Sequence, residues 1–355
     1  MERLFMKGNE ALAEAAVRAG CKFFAGYPIT PQNEIPEYLS RRLPEVGGVF
    51  VQGESEVASI NMLIGAGFMG TRALTSTSGP GLSLMCEGLS SLAGYGFPAV
   101  IMDVMRGGPG TGSIQAAQAD YLLLTRGAGH GGFKSLVYAP ADVQEAVDLV
   151  GLAFDTAWEY KNPTFVAVDG CIGSMMEVVE LPEVREFERE EFPIYSSSKF
   201  GQTNPKIRLS TSMIISEPEQ EKWNFMIAEK WAEMEKKECM VEEFMTEDAE
   251  LVVVAYGTSA RIAKAAVEGL RKEGYKVGLI RPITIWPFPY DSIKKLDSDV
   301  CKKIFCLELS VPVQVIQDVE IAAHGRFEIS SYGRTAGQVY TTDEVAEKLR
   351  AIMEE

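Results

Sequence analysis

Cys21-Lys22-Phe23-Phe24-Ala25-Gly26-Tyr27-Pro28-Ile29-Thr30-Pro31 reads as a buried strand running into a rigid turn. Residues 21–25 are a short, nearly continuous apolar run, the pattern of a strand covered on both faces. Gly26 ends it. Pro28 and Pro31 then fix their own φ angles, stiffening the turn and aiming Thr30 outward. Upstream, residues 9–19 carry apolar positions at helical spacing, and Gly20 is a C-terminal stop. A helix follows Pro31. Helix, buried strand, turn and helix together open an α/β wind.

The alternation continues outward. Apolar runs at 48–52, 72–77, 98–105, 135–139 and 164–168 predict further strands, with helices opening at Glu54-Ser55-Glu56, at Gly79-Pro80-Gly81 and over 141–158. Such stacked βαβ units build a largely parallel sheet. From about Leu181 to Asp248 the pattern dissolves into charge-rich and Ser/Thr-rich segments, with one polar amphipathic helix over 217–240. A second α/β pattern starts with the strand at 250–255. It continues through strands at 276–281 and 303–308 and a final helix at 342–353. The predicted architecture is two doubly wound, mostly parallel-sheet domains, 1–182 and 248–355, joined by a partly helical connector, 183–247. The first seven residues lead straight into a helical pattern, without the apolar run of a signal peptide.

Composition excludes several classes. The 355 residues hold 34 Lys and Arg against 50 Asp and Glu, a net charge of −16, which disfavours nucleic acid and anionic membranes as partners. Six cysteines with no C-x-x-C pair, and only two histidines, give no metal-ligand set. Scattered cysteines and the lack of a membrane-length apolar run predict a soluble, cytoplasmic protein. The loop Arg106–Gly112 lacks the lysine of a phosphate-binding loop, and in residues 127–135 Phe133 displaces Lys134 and Ser135 from the required register. No G-x-G-x-x-G follows the first strand, so a nicotinamide site is unsupported.

Three positions stand out. Thr30 lies at a strand's carboxyl end, where open α/β sheets bind ligands, although plain turn chemistry also accounts for its loop. Glu56 opens a helix and is followed by an apolar face. That setting suits a capping carboxylate or one that shares a proton with a ligand nitrogen. Arg106 follows a strand and can grip a carboxylate with two parallel bonds, or form a surface or interchain ion pair.

At Glu56 the chain resembles a family. Glu, four residues, Gly, apolar, two residues, Gly, apolar is the pattern of the pyrimidine-binding domain of thiamine diphosphate enzymes. Residues 56–66 follow it, with Asn61 where the first Gly usually stands. GYPITPQNEI (26–35), QGESEVASINM (52–62), TSTSGPGLSLMCEGLS (75–90) and RGGPGTGSIQAAQADY (106–121) are similar to the alpha subunit of 2-oxoacid:ferredoxin oxidoreductases. RGGPGTGSIQ with GHGGF (129–133) is most similar to the branched-chain, 2-oxoisovalerate type. The resemblance implies a pyrimidine-binding domain followed by one like the transketolase C-terminal domain.

It also implies roles. Glu56 would hydrogen-bond the cofactor's pyrimidine and serve catalysis. Thr30 would stand beside thiazolium and substrate, Arg106 would hold the substrate carboxylate, and Thr111 would shape the substrate pocket, with Gln115 and Gln118 held more loosely. Pro28, Ser78, Gly79 and Gly81 would pack near the cofactor. The reaction implied is oxidative decarboxylation of 3-methyl-2-oxobutanoate with coenzyme A, electrons passing to ferredoxin. 2-Oxoglutarate as substrate, or a noncatalytic assembly role, are the alternatives. The chain has no G-D-G…N diphosphate motif and no ferredoxin-like cysteine run. The resemblance therefore assigns Mg²⁺, the diphosphate site and a 4Fe-4S cluster to a beta subunit, and adds gamma and ferredoxin-like delta subunits. His130 and His324 receive no role.

Overall fold

In a computed structural model that describes residues 2–187, 193–197 and 207–354, the apolar runs become strands and the longer periodic segments become the helices covering them. The chain begins β1 (Glu2–Lys7), α1 (Gly8–Arg18), β2 (Phe23–Gly26), α2 (Glu34–Glu45), β3 (Val49–Gln52), α3 (Glu56–Phe68), β4 (Ala73–Thr77), α4 (Gly79–Tyr95) and β5 (Ala99–Gly107). It continues through β6 (Ser113–Ala116), a π-helical turn (Leu123–Gly127), β7 (Leu136–Tyr138), α5 (Val143–Tyr160), β8 (Pro163–Asp169), α6 (Gly170–Ser174) and β9 (Met176–Leu181). Next come β10 (Ile194–Ser196), β11 (Ile207–Leu209) and α7 (Glu217–Lys237). The remainder is β12 (Val241–Phe244), β13 (Leu251–Val254), α8 (Gly257–Glu273), β14 (Val277–Pro282), β15 (Thr284–Trp286), α9 (Tyr290–Lys294), β16 (Lys303–Glu308), α10 (Ile316–Ala323), β17 (Glu328–Gly333) and α11 (Thr342–Glu354).

The larger sheet has the order β15-β7-β8-β5-β4-β2-β3, with β6 beside β5. From β7 to β3 all neighbours are parallel. β5 and β8 are buried along their whole length, as central parallel strands must be. Leu12, Leu39 and Phe154 pack α1, α2 and α5 on one face, while Ile60, Leu63, Leu82 and Met85 pack α3 and α4 on the other. β2 pairs with β3 on one side and β4 on the other, so the winding reverses between β2 and β4. Such a switch point opens a crevice at the carboxyl ends of the strands.

The second sheet has the order β12-β14-β13-β16-β17, parallel except for β12. The division expected at 247/248 falls between β12 and β13 of this one sheet. One face is covered by α8 and α11, and the other shares a single apolar core with α3 and α4, in which Val252, Tyr256 and Ile304 join Ile60 and Leu82. β15 leaves the second half altogether and lies antiparallel on β7.

Residues 2–7 lead straight into α1, as expected, and themselves form a strand not expected from the sequence, β1, paired antiparallel with β9 in the register Leu4↔Val179. The connector of 183–247 lies outside the described residues at 188–192 and 198–206. Its described parts hold the short parallel pair β10–β11 and α7. Among the described residues no helix is long and apolar enough to cross a membrane, and no group of three or more His, Cys, Asp or Glu is placed to hold a metal ion. All six cysteines are free.

Candidate active site

Ser55 caps α3, its hydroxyl accepting the Ala58 amide at 3.2 Å. Glu56 therefore sits in the first helical turn, where the helix dipole favours a carboxylate. Its side chain is 4 % exposed, yet no donor among the described residues hydrogen-bonds the carboxylate. Burying such a group without a partner is costly.

The same economy is broken at the start of α4. Ser78 holds the extended backbone of an N-cap residue (φ −147°, ψ 146°), but its hydroxyl makes no capping bond. It is buried without a partner, as are the hydroxyls of Thr75 and Thr77 on the preceding strand. Gly81 closes the arrangement. A β-carbon there would overlap both Glu56 Oε1 and Thr77 Oγ1, so only glycine leaves this floor open. Glu56, Thr77, Ser78 and Gly81 thus form one polar cradle at the switch point.

Arg106 ends the buried run of β5. It is 7 % exposed, its Nη1 donates to the Thr30 carbonyl at 2.8 Å and its Nη2 to the Thr111 carbonyl at 2.9 Å. Its Nε–H is buried and unpartnered. The guanidinium therefore ties the loop after β2 to the loop after β5 and keeps one donor free. Arg106, Gly79 and Thr111 line a cleft of about 720 Å³, closed on its far side by Ser310, Pro312 and Thr335 of the second domain. The turn carrying Thr30 is held from below by Gln32. Its Nε2 donates to the Tyr27 carbonyl at 3.1 Å, and its Oε1 accepts from Ser76 Oγ at 2.6 Å.

The residues expected from sequence gather unevenly. Glu56, Ser78 and Gly81 meet in the cradle, Gly79 faces Asp120 and lines the cleft instead, and Arg106, Thr30 and Thr111 meet through Arg106. Thr111 takes part through its carbonyl, and its side chain is exposed. Pro28 is exposed on the Thr30 turn. Gln118 is no pocket wall. It is fully buried between the domains, donating to the Tyr256 carbonyl at 2.8 Å and accepting from Ser259 Oγ at 2.6 Å and the Leu309 amide at 2.8 Å. A glutamine with both amide ends satisfied by the second domain has nothing left for a substrate.

Sequence reasoning missed Thr77, Gln32, Asp103 and Asp120. A signal existed for Asp103, the single acid within the apolar run 98–105. Asp103 is fully buried on β5, and Asp120 lies beside it under Gly79. Burial and the Asp120 charge push the Asp103 carboxyl well above the usual carboxylate range, and burial pushes Asp120 up to about 6.

A flat heteroaromatic ring with both donor and acceptor nitrogens would satisfy the cradle: an acceptor-only carboxylate on one side, hydroxyls on the other, glycine beneath. The pyrimidine half of thiamine diphosphate is such a ring, and the residues present fit it. Fold and site together define a doubly wound α/β cofactor-binding unit, its site at the switch point, joined to a second α/β domain that walls the cleft.

Comparison with known proteins agrees. Residues 14–246 match the family described as pyruvate flavodoxin/ferredoxin oxidoreductase, thiamine diphosphate-binding, and residues 249–345 match pyruvate:ferredoxin oxidoreductase core domain II. The chain belongs to this oxidoreductase family. It is 43 % identical over 352 residues to a ketoisovalerate oxidoreductase subunit of Methanothermobacter thermautotrophicus, covering 99 % of this chain and 98 % of that one. It is 36 % identical to a 2-oxoglutarate synthase subunit of Methanocaldococcus jannaschii, covering 96 % and 97 %. Among solved structures, the 2-oxoglutarate:ferredoxin oxidoreductase of Magnetococcus marinus, with 2-oxoglutarate, coenzyme A and succinyl-CoA bound, superposes with a TM-score of 0.85 at 25 % identity. The match covers 99 % of this chain and 65 % of that one.

Proposed function

We propose that this chain is the alpha subunit of a thiamine diphosphate-dependent 2-oxoacid:ferredoxin oxidoreductase of the cytoplasm, oxidatively decarboxylating 3-methyl-2-oxobutanoate with coenzyme A. The observation that carries the reading is Glu56, a buried carboxylate without a donor, set above glycine at the switch point. Thiamine diphosphate supplies the carbanion chemistry that cleaves the bond beside a 2-oxo group. Glu56 would share a proton with a nitrogen of the pyrimidine ring, while Ser78 and Thr77 would orient that ring and Gly79 and Gly81 would let it approach. Arg106, on the cleft wall, supplies the positive charge for the substrate carboxylate, with the Thr30 and Thr111 carbonyls fixing its guanidinium.

The assignment of the branched-chain acid rests on the higher identity to the ketoisovalerate subunit than to the 2-oxoglutarate one, 43 % against 36 %. Complementary groups belong to partners: a beta subunit with the diphosphate and Mg²⁺ site and a 4Fe-4S cluster, gamma and ferredoxin-like delta subunits, and ferredoxin as acceptor. The test is Glu56→Gln in the assembled complex, with a viologen acceptor. Turnover should fall at least roughly a hundredfold while the complex still assembles. Near-wild-type turnover would overturn the reading. A 2-oxoacid panel on the wild type, ranked by kcat/KM, decides the substrate.

A further inference from the structure

Asp103 and Asp120 are unused by this chemistry, yet they sit at its edge. Asp103 lies on the face of β5 that meets α3 and α4, with Thr77 as its cross-strand partner. Neither of its carboxylate oxygens has a hydrogen-bond donor, and neither has Asp120 Oδ2. A β-carbon on Gly79 would lie 2.9 Å from Asp120 Oδ1, so the carboxylate rests directly on the first residue of α4. Asp120, 8 % exposed, lines the same cleft as Arg106, while Asp103 is sealed behind it.

Two adjacent enclosed carboxylates cannot both stay charged. One proton between them gives one a hydroxyl to donate and the other a charge to keep. The asymmetry is set by the surroundings. A hydrogen bond from Asp103, the Gly79 amide and Arg106 favour the charged form of Asp120, whereas burial, the charge of Asp120 and the same shared hydrogen bond all keep Asp103 protonated. The other charged groups toward this face are Glu56 from α3, across Thr77, and Asp169, two residues beyond the β8 neighbour of Asp103. Along the cleft α4 presents only Gly79, Pro80 and Ser83, none charged.

We propose that Asp103 and Asp120 hold one proton in common and act as a positioning pair for Arg106. The proton resides on Asp103, and the single charge on Asp120 balances the guanidinium. Loss of the proton brings a second negative charge against the cleft and drives an anionic substrate out. This rests on the reading that Arg106 receives a 2-oxoacid carboxylate. It predicts that the pair governs KM, leaving kcat to the cradle around Glu56.

The test measures kcat and KM for 3-methyl-2-oxobutanoate in the assembled complex from about pH 6 to about pH 10, comparing wild type with Asp103→Asn and Asp120→Asn. Wild-type KM should rise toward about tenfold per pH unit on the alkaline side, with kcat nearly level. Asp103→Asn should flatten that rise, because an amide has no proton to lose, whereas Asp120→Asn should move it to lower pH, because Asp103 keeps its proton but loses the neighbouring charge that helps to hold it. An alkaline KM limb of wild-type steepness in Asp103→Asn overturns the proposal, as does an unshifted limb in Asp120→Asn or a wild-type KM that stays level. Should neither variant assemble, infrared spectra of wild-type protein labelled with carboxyl-¹³C aspartate decide. A protonated aspartate band at neutral pH that vanishes together with the rise in KM is required, and its absence overturns the pair. Failure of the underlying reading looks different: wild type turns over no 2-oxoacid, or Arg106→Lys leaves KM unmoved at every pH.

Discussion

Gly81 lies directly against the Glu56 carboxylate, so close that any β-carbon would overlap its Oε1 and the hydroxyl of Thr77 beside it. Gly81→Ala therefore inserts one methyl group into the cradle. Overpacking of this kind costs about 1–3 kcal/mol, which a chain of this size tolerates. The cradle does not, because the methyl occupies the space a flat ring needs. The concentration of thiamine diphosphate that half-saturates activity should rise at least roughly tenfold while the melting temperature falls only a few degrees. Titration of activity with cofactor, beside a thermal melt, checks both. Unchanged cofactor dependence would show that the ring lies elsewhere.

Arg106 donates to two backbone carbonyls from different loops, Thr30 and Thr111. Lysine keeps the charge but replaces the planar fork with a point donor. Arg106→Lys should leave the complex assembled and weaken carboxylate binding by about 2 kcal/mol, raising KM for the 2-oxoacid roughly 30-fold. A smaller change in kcat is expected, since the cradle around Glu56 is untouched. Steady-state kinetics at saturating coenzyme A reads the split.

Gln118 holds the two domains together from the inside. Replacing it by leucine leaves the Ser259 hydroxyl without its Gln118 acceptor and the Leu309 amide buried without a partner, and leaves the Tyr256 carbonyl with the Ala260 amide alone. Each such orphan costs about 1–3 kcal/mol, so Gln118→Leu should destabilise the chain by about 3 kcal/mol or more. Denaturant unfolding gives the figure. A loss below about 1 kcal/mol would mean that water replaces the lost bonds and the domain interface is wet.

These residues also mark what a sequence can and cannot disclose. β2, β5 and β8 were legible because strands buried on both faces are written as unbroken apolar runs. The turn after β2 and the start of α3 were legible because proline, glycine and a capping serine impose local geometry. β1 was not, since Leu4 and Phe5 remain exposed and its partner β9 is the last strand of the same domain. β15 was not, because it crosses from one half of the chain to the sheet of the other. Glu56 and Arg106 carry their chemistry in local pattern. Asp103 acquires meaning only from Asp120, and Gln118 only from Tyr256 and Leu309, 138 and 191 residues further on. Nothing in the run PAVIMDVM says what its lone acid will face.

Glu308 offers a test of the interdomain region through pH alone. It is fully buried at the end of β16, accepting from the Tyr256 hydroxyl at 2.9 Å and from the amides of Gln314 and Val315. Burial outweighs those donors and pushes its carboxyl up to about 7, against 4.5 when free. The sign follows directly. Between those two values the unfolded chain has released the proton and the folded chain retains it, so stability falls as pH rises. The contribution is complete below the unfolded value and gone above the folded one, a span on the order of 3 kcal/mol. Glu308→Gln removes this proton from both states at the cost of one acceptor. The wild type should therefore lose melting temperature relative to the variant between about pH 5 and about pH 8, whatever the offset at either end. Parallel melting curves across that window would place Glu308 in a setting polar enough to keep its charge. The slope would then have to come from another group such as Asp169, a further buried acid at this interface, whose carboxyl burial also raises and which Thr258 of the second domain holds by its amide and hydroxyl.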